Sequence, residues 1–343
     1  MESLFYHLSN LATKNDYKKL QKAKDIYGNW EKAWEAIRKI EKSNLDPETE
    51  RRKLEKLNIQ LALIESPEYP YLLKEIPLPP FGIYLIGSLD KINEPSLAIV
   101  GTRKATENGK ELARAFAGAV SRAGINIVSG LALGIDSASH MGALESKGFT
   151  VAILGNGLDE IYPKTNEKLG KKILESGGAI ISEYPPGMPS LPHHFIQRNR
   201  IISGLSKGIL VIEAPERSGA LATARFAIDQ NRDIFVIPGP ISHPNFKGSN
   251  ELIRQGATLV TKPEHIIEII KPELAQKETE TQNLFAENPE EALILNVLKK
   301  SKKGFSVDKI IELTKLDAEV ANRALSFLVI KNVVNETENG YTI

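Results

Sequence analysis

The sequence predicts an α/β protein whose central part is a doubly wound parallel sheet of the Rossmann-like type. Two patterns predict this fold between residues 81 and 271. Short runs rich in Ile and Val recur there, and stretches with helical periodicity fill the gaps between them. Continuous apolar runs are typical of strands that are buried on both faces. Because crossovers between parallel strands are right-handed, we expect helices on both sides of the sheet.

Residues 1–80 predict a small helical domain ahead of the sheet. Apolar residues recur there at helical spacing, first in a stripe from Leu4 to Leu11 and then in stripes around Leu20 and Trp34. The prolines of the sequence YPYLLKEIPLPPF close this segment and stiffen the connection to the next one. We therefore expect several short helices joined by tight turns.

Apolar runs mark the strands of the central domain, residues 81–271. Helical stretches separate the runs, and in one of them Leu112, Phe116 and Val120 recur at helical spacing. The predicted strands are 97–101, 125–130, 149–155, 179–184, 208–214, 233–239 and 258–262.

A linker and a third, small domain are predicted after the sheet. Residues 272–288 are polar and lack periodicity, which is typical of a linker. In residues 289–343 three helical patterns precede a short hairpin pattern, and this combination predicts a winged helix. Winged helices usually bind duplex DNA through a basic helix, but residues 272–343 hold more acidic than basic side chains.

Composition excludes several classes of protein. The 343 residues include 44 Lys and Arg against 43 Asp and Glu, so any nucleic-acid site must be a local patch. The absence of cysteine excludes disulfide scaffolds, thiolate metal sites and a cysteine nucleophile. No apolar run approaches the ~20 residues of a membrane span, and the first residues lack a signal peptide's apolar region. We therefore expect a cytoplasmic protein that makes no membrane contact.

Candidate ligand-binding residues lie in the loops after the predicted strands, because parallel α/β sheets bind ligands beyond the carboxyl ends of their strands. An arginine close behind a strand end suits a phosphate oxygen, and two later loops open into helices whose first amides favour anions. The same small residues also simply cap helices and form turns, and that alternative stays open. The residues concerned are Gly101, Thr102, Arg103, Ser218, Gly219, Gly248 and Asn250.

The segment HHFIQRNRIISGLS, residues 193–206, combines an aromatic residue with two arginines ahead of an apolar helical stripe. Helical geometry directs Arg198 towards the sheet edge, where it contacts a ligand or pairs with Glu183 or Glu213. The same geometry points Arg200 almost oppositely, to solvent or to a phosphate. Phe195 offers a stacking face for a base or, alternatively, belongs to the core.

The sequence contains no recognisable catalytic constellation. The six histidines form no ligand spacing such as H-E-x-x-H, and no serine lies in a G-x-S-x-G frame. The dinucleotide fingerprint G-x-G-x-x-G and the P-loop are absent at the first strand. We therefore expect a protein without enzymatic activity that needs neither a metal nor a cofactor.

Taken together, the motifs of the central domain resemble the family of DNA-processing proteins called DprA or Smf. They occur in the order and with the spacing typical of that family. The flanking segments are similar in kind to the family's sterile-alpha-motif-like N-terminal domain and C-terminal winged helix. The matching motifs are GTR (101–103), SGLALGID (129–136), LGNGLDEIYP (154–163), SEYPPG (182–187), FIQRNRIISGLS (195–206), VIEAPERSGALATA (211–224), IPGP (237–240) and KGSNELIRQGA (247–257).

This resemblance implies an extended Rossmann fold that binds single-stranded DNA, protects incoming DNA during natural transformation and loads RecA recombinase. It also implies a homodimer joined near residues 257–270. Arg103 matches the family's phosphate-contacting arginine, and Ile196 stands where the family commonly has proline. The family's F-x-x-R-N-R motif and R-S-G-x-x-x-T loop match Phe195, Arg198, Asn199, Arg200, Ser218, Gly219 and Thr223.

Two other interpretations remain open at this stage. A nucleotide-processing enzyme of the phosphoribohydrolase type resembles this family in fold, but it would need a P-G-G-x-G-T-x-x-E loop, and Pro238-Gly239-Pro240 lacks the rest of that motif. Merely solvated basic residues would not explain why Gly, Ser and Arg gather at one sheet edge.

The end of the central domain has four apolar residues, namely Ile266, Ile267, Ile269 and Ile270. They have two interpretations, a two-fold contact between copies of the chain or packing inward against the domain's own core.

Overall fold

The chain forms two compact units, Met1–Lys271 and Pro272–Ile343. Most of the predicted linker, residues 274–287, lies outside the part of the chain that the structure describes. The computed structural model describes residues 1–273, 288–298, 304–331, 333–337 and 340–342.

Short helices fill the N-terminal segment, as the sequence predicts. Three of them begin at a residue whose side chain accepts a hydrogen bond from a first-turn amide, namely Asp16, Asn29 and Asp46. Their apolar faces meet around Tyr6 and Trp30, whose rings pack edge to face. The helices are α1 (Glu2–Ala12), α2 (Tyr17–Tyr27), α3 (Trp30–Ile40), α4 (Pro47–Lys56) and α5 (Tyr71–Lys74).

Two strands that the sequence pattern did not predict attach this segment to the sheet. Strand β1 (Gln60–Leu63) pairs antiparallel with β2 (Gly82–Gly87), and β2 pairs antiparallel with the strand Ala179–Ser182. The N-terminal helices therefore share one compact unit with the sheet, whereas the sequence predicts a separate domain that ends near residue 80.

All seven predicted strands form, and every pairing among them is parallel. Helices lie on both faces of the sheet, which confirms the doubly wound α/β fold. The strands are β3 (Ser96–Gly101), β4 (Asn126–Ser129), β5 (Thr150–Leu154), β6 (Ala179–Ser182), β7 (Gly208–Ile212), β8 (Asp233–Val236) and β9 (Thr258–Leu259). The helices are α6 (Glu107–Arg122), α7 (Ile135–Glu145), α8 (Glu167–Glu175), α9 (Pro192–Gly204), α10 (Gly219–Asp229), α11 (Lys247–Arg254) and α12 (Glu264–Ile270).

Strand order determines where a ligand site should lie. The order in the sheet is β1-β2-β6-β5-β4-β3-β7-β8-β9. From β3 the chain builds the sheet in one direction as far as β6 and then returns to add β7 on the other side of β3. Open α/β sheets bind ligands in the crevice at such a reversal, outside the carboxyl ends of the strands. We therefore expect a ligand site at the loops after β3 and β7.

The terminal helix α12 packs mainly inward. Ile266 and Ile270 are buried in the core beneath the sheet and Ile267 packs against that core, whereas Ile269 is exposed. Inward packing therefore accounts for three of the four isoleucines that the sequence singles out.

The second unit contains the predicted helices and hairpin. A small core around Ile294, Ile310, Leu325 and Val334 holds its described parts together. Whether the unit is a winged helix in the functional sense stays a prediction. Its elements are α13 (Pro289–Leu298), α14 (Val307–Thr314), α15 (Ala318–Ile330) and the antiparallel pair β10 (Asn335–Thr337) and β11 (Gly340–Thr342).

Candidate nucleic-acid interface

A cavity of about 540 Å³ opens at the point where the strand order reverses. Loops after β3, β4 and β7 form its walls together with the start of α9, so residues far apart in sequence converge there. The sequence-predicted residues that line it are Gly101, Thr102, Arg103, Phe195, Arg198, Asn199, Ser218, Gly219 and Thr223.

Arg198 forms the floor of this cavity, with only 4% of its surface exposed. Its Nη1 atom donates to the carbonyl oxygens of Gly130 and Ile153, and its Nε donates to Asn199 Oδ1 at 3.2 Å. The Nη2 atom makes no hydrogen bond within the described part of the chain. Two backbone carbonyls therefore aim the guanidinium, and one nitrogen remains able to donate to a ligand.

The effect of burial on this guanidinium is partly offset by Asp136 at the start of α7. Burial lowers the pKa of Arg198 to about 10, and the nearby Asp136 carboxylate opposes that shift. Burial also raises the pKa of Asp136, while Arg198 and the amides of Gly130 and Ala132 act in the opposite direction. A Cβ at Gly130 would lie 2.7 Å from both the guanidinium nitrogens and the Asp136 carboxylate. Only glycine fits between the two charged groups.

Phe195 forms an aromatic wall close to two cations. Its half-buried ring lies 5.3 Å from the Arg103 guanidinium carbon and 6.0 Å from that of Arg198. The ring of Tyr162 lies 5.4 Å away on the same wall. The backbone of Gly155 lies beneath Phe195, since a Cβ there would come within 2.9 Å of the ring. Phe195 therefore belongs to the cavity surface, with both guanidinium groups close to its ring.

The start of α10 forms the opposite wall. The Ser218 hydroxyl caps this helix by accepting from the Leu221 amide, which uses an oxygen lone pair and does not occupy its O–H donor. Thr223 donates to the Gly219 carbonyl oxygen, and Asn199 Nδ2 donates to the same oxygen at 3.2 Å. The amide groups of Gly219 and Ala220 lie in the first turn, where no intrahelical acceptor exists. These amides and the helix dipole favour an anion at this wall.

Glycine at position 101 lets the first loop lie against the neighbouring strand. A Cβ there would overlap the carbonyl oxygen of Ile212 and the side chain of Ile135. The Thr102 amide donates to the Glu213 carbonyl oxygen at 2.8 Å, which fixes the loop just before Arg103. Arg103 itself is exposed and lies at the cavity mouth.

Arg200 is not exposed to solvent, as the sequence predicts it to be. It points away from Arg198, as expected, but it is only 8% exposed and pairs with Glu183, with 2.6 Å between Nη2 and Oε1. Burial lowers its pKa, but the Glu183 pair outweighs that effect and raises it. The N-terminal segment covers this side, since Asn10 Nδ2 donates to the Glu183 carbonyl oxygen at 3.4 Å. The predicted pairing of Arg198 with Glu183 or Glu213 is absent among the described residues.

Gly248 and Asn250 lie outside the cavity. Both belong to α11, which begins one residue earlier than Gly248, so they do not precede a helix as the sequence predicts. The Gly248 amide donates to the Ala214 carbonyl oxygen at 2.9 Å. Asn250 is joined to the backbone of Gly239 by two hydrogen bonds. Their contacts hold the loops after β7 and β8 together.

Tyr162 and Arg217 are among the cavity residues that the sequence reasoning did not single out. Tyr162 extends the aromatic wall, and Arg217 adds a cation to the lining. Both lie within motifs that carry the family resemblance, LGNGLDEIYP and VIEAPERSGALATA. Both residues follow a strand of the parallel sheet, and this position is the sequence signal that could have identified them.

Neither a metal centre nor a membrane-crossing helix occurs in the described ranges. No group of three His, Cys, Asp or Glu side chains there could hold a metal ion. No helix there is long and apolar enough to cross a bilayer.

The fold and the cavity together define a class of protein. It is a Rossmann-like α/β protein whose cleft presents arginines and an aromatic ring at the strand reversal. Residues 60–271 match the family model described as DNA recombination-mediator protein A. The chain belongs to that family, as its motifs predict.

Individual relatives agree with this assignment. The chain is 45% identical to protein Smf of Escherichia coli over 215 residues, which cover 63% of this chain and 58% of that protein. It is 42% identical to DNA processing protein DprA of Streptococcus pneumoniae over 200 residues, 58% of this chain and 70% of the relative. The match therefore spans little more than half the length of the Escherichia coli protein.

Solved structures match the same region. The X-ray structure of Streptococcus pneumoniae DprA superposes with a TM-score of 0.60 at 37% identity, covering 69% of this chain and 86% of that one. DNA processing protein A of Helicobacter pylori, described for its single-stranded DNA binding mode, gives a TM-score of 0.57 at 28% identity, with 63% and 98% covered.

Proposed function

We propose that this protein is a non-catalytic DNA-processing protein that binds and protects single-stranded DNA and loads RecA recombinase during natural transformation. The proposal includes a cytoplasmic location and a homodimer as the active form. It also includes Gly101, Thr102, Arg103, Phe195, Arg198, Asn199, Ser218, Gly219 and Thr223 as the residues that contact DNA.

The single observation that carries DNA binding is the position of the Phe195 ring within 6.0 Å of the guanidinium carbons of both Arg103 and Arg198. Single-strand binding proteins combine basic groups, which follow the phosphates, with aromatic faces on which bases stack. A duplex hides its base faces, so only an unpaired strand uses both features at once. The cavity therefore favours a single strand over a duplex.

Relatives support the same ligand. The Helicobacter pylori protein is described as having a single-stranded DNA binding mode, and this chain covers 98% of that structure. Loading of RecA rests on the family resemblance alone. It predicts that adding this protein speeds the onset of RecA's DNA-dependent ATP hydrolysis on a single strand.

Binding to single strands can be tested by fluorescence anisotropy with a labelled oligonucleotide and with its duplex. We expect tighter binding to the single strand. Arg103→Ala should weaken binding similarly for every sequence, because the lost contact is to phosphate. The slope of log affinity against log salt should become shallower by ~0.7, the value for one phosphate on a single strand.

The matched control is Arg122→Ala. Arg122 is also an exposed arginine, but it ends α6 and contacts Ser146, far from the carboxyl ends of the strands. Equal affinity for duplex and single strand would contradict the proposed ligand. An unchanged salt slope in Arg103→Ala would remove Arg103 from the interface. Release of free base from a nucleoside monophosphate would instead favour the phosphoribohydrolase alternative.

A further inference from the structure

Glu213 occupies an unusual position directly after β7. Its side chain is completely buried, and it lies where the strand order reverses, beside the DNA cavity. Its backbone φ is +52°, in the left-handed region that residues with a Cβ seldom adopt. Such a conformation persists only where surrounding contacts hold it, and it occurs most often at functional sites. The contacts that hold Glu213 in this conformation therefore indicate the role of the residue.

Every described hydrogen bond of the Glu213 carboxylate joins it to the loop that carries Arg103, either directly or through Asn245. Oε2 accepts from the Thr106 amide at 2.9 Å and from Asn245 Nδ2 at 2.9 Å, and Oε1 accepts from the Thr106 hydroxyl. Asn245 Nδ2 also donates to the Lys104 carbonyl oxygen at 3.1 Å. The backbone carbonyl of Glu213 accepts from Thr102. One residue thus holds the loop on both sides of Arg103.

The fit around this carboxylate is close. Thr106 is the N-cap of α6, and its hydroxyl accepts from the Gly109 amide at 3.0 Å. A Cβ at Gly109 would lie 2.6 Å from the Glu213 carboxyl carbon. The carboxylate therefore sits against the first turn of α6, where the helix dipole favours a negative charge.

No ion pair among the described residues accounts for a carboxylate here. In the described part of the chain Glu213 forms no ion pair, and its negative charge lies beside a cavity that we propose binds phosphates. A negative charge near a phosphate weakens binding by repulsion. Its hydrogen bonds to the loop are what the residue contributes.

We propose that Glu213 is a positioning residue for DNA binding, because it holds the 102–106 loop so that the Arg103 guanidinium stays over the Phe195 ring. The inference rests on the proposed function, since Arg103 must contact DNA for its position to matter. Arg103 is a long exposed side chain, so its placement depends on the backbone that carries it. If the loop were mobile, it would have to become ordered before Arg103 could bind the same phosphate, and that loss of entropy would lower the affinity.

The test compares Glu213→Ala with Glu213→Gln in single-strand anisotropy titrations. Alanine removes every side-chain acceptor, and we expect about tenfold weaker binding, the size of one lost charge-assisted contact. Glutamine keeps an oxygen for the two N–H donors and can donate to the Thr106 hydroxyl, so it should bind within about threefold of the wild type. A residue that acted only through its charge would instead strengthen binding in both variants.

Combining Glu213→Ala with Arg103→Ala shows whether Glu213 acts by positioning Arg103 or by stabilising the fold in general. In the Glu213→Ala background, Arg103→Ala should cost less than about threefold further affinity, because the misplaced arginine no longer contributes. Deuterium exchange should rise in peptides that cover residues 101–110 and stay unchanged over β5. The matched control is Glu216→Ala, which removes an exposed carboxylate from the same loop without touching residues 102–106.

A second pair of variants keeps the inference falsifiable if Glu213→Ala does not fold. Thr106→Val removes the hydroxyl that Glu213 accepts from, and Thr106→Ser retains it. We expect weaker binding, coupled to Arg103, in the valine variant only. Wild-type affinity in Thr106→Val, or in a folded Glu213→Ala variant, would overturn the inference. So would an Arg103→Ala effect that is as large in the Glu213→Ala background as in the wild type. A wild type that binds no single strand would overturn the proposed function itself.

Discussion

The two arginines of the F-x-x-R-N-R motif perform different tasks although they are two residues apart. Arg198 faces the cavity and keeps one nitrogen available, whereas Arg200 is paired with Glu183 beneath the N-terminal helices. Helical geometry predicts that they point apart. It cannot predict what covers the second one, because that cover comes from residues nearly two hundred positions earlier. Two basic residues of one motif can therefore differ in burial and in partner, so the motif alone does not show which of them faces the cavity.

Phe195 provides a test of base stacking. Phe195→Ala should lose about 1–3 kcal/mol of single-strand affinity, because a base loses its aromatic partner. Phe195→Trp should retain most of the affinity, since it presents a larger ring face at the same place. The ring is only half-buried, so we expect little change in the free energy of unfolding. A large loss of stability with unchanged affinity in the folded fraction would identify Phe195 as a core residue instead.

His140 predicts how stability depends on pH. The side chain is completely buried, which lowers its pKa to about 3, and the Arg198 charge adds to that shift. In the unfolded chain a histidine has a pKa near ~6.5, so only the unfolded state takes up a proton between these values. Stability is therefore fully present above about pH 6.5 and falls as the pH falls towards the folded-state value.

At pH 5 this single group should cost about 2 kcal/mol relative to pH 7.5. Urea titrations should show that His140→Asn, which can keep a hydrogen bond to Thr150, loses that much less on acidification. His7, whose burial lowers its pKa to about 4, contributes equally to both proteins and cancels. The control His193→Asn alters an exposed histidine. Parallel pH profiles for wild type and His140→Asn would show that His140 is not the cause.

At the level of elements, the parallel strands were predictable and the antiparallel pair was not. Strands buried on both faces leave continuous Ile- and Val-rich runs, so β3 to β9 were predicted with small errors at their ends. The run GIYLIG, which forms β2, follows a proline-rich stretch that indicates a connector. Its partner β1 is short and half covered. Nothing local shows that β2 pairs with β6, because that pairing joins distant segments.

The cavity residues were likewise predictable only in part. The fold rule placed the site at the strand ends, and this rule identified the loops after β3 and β7 from sequence alone. Tyr162 was missed because no basic residue precedes it in the loop after β5. Asn250 and Gly248 were included because small and amide side chains occur equally at turns and at anion sites.

Attachment of the N-terminal helices to the sheet predicts a shared unfolding unit. Trp30 in α3 is fully buried, with the rings of Tyr6 and Phe81 packed edge to face against it. The same core includes Ala152 and Leu154 of β5. Trp30→Ala should therefore destabilise the whole unit by about 3–5 kcal/mol.

Deuterium exchange measures how far this damage extends. We expect faster exchange in peptides that cover β5 and β6 as well as in α1 to α4. The control Ile40→Ala changes an exposed residue of the same helix. Exchange that rises only in the N-terminal helices would mean that residues 1–80 unfold on their own, as the sequence pattern predicts.

For the whole molecule, the remaining proposal is that it binds DNA as a homodimer. One cavity with a few basic contacts releases few counterions, so a single site binds weakly. Two joined cavities raise the overall affinity by ~10²–10⁴-fold when one strand reaches both. The structure limits the choice of test residue, since Ile270 is buried and Ile267 packs on the core, whereas Ile269 is 45% exposed. A charge at Ile269 can therefore disturb an interface without unfolding the chain.

Ile269→Glu should convert the dimer into a folded monomer, because a carboxylate cannot be buried in an apolar interface without a partner. Binding to long single strands should then weaken far more than binding to strands too short to span two cavities. Ile26→Glu, at an exposed position of α2, is the matched control and should leave the dimer intact. Light scattering at tens of micromolar gives the first answer. A monomeric wild type would rule out the dimer, and a dimeric Ile269→Glu variant would move the interface away from α12.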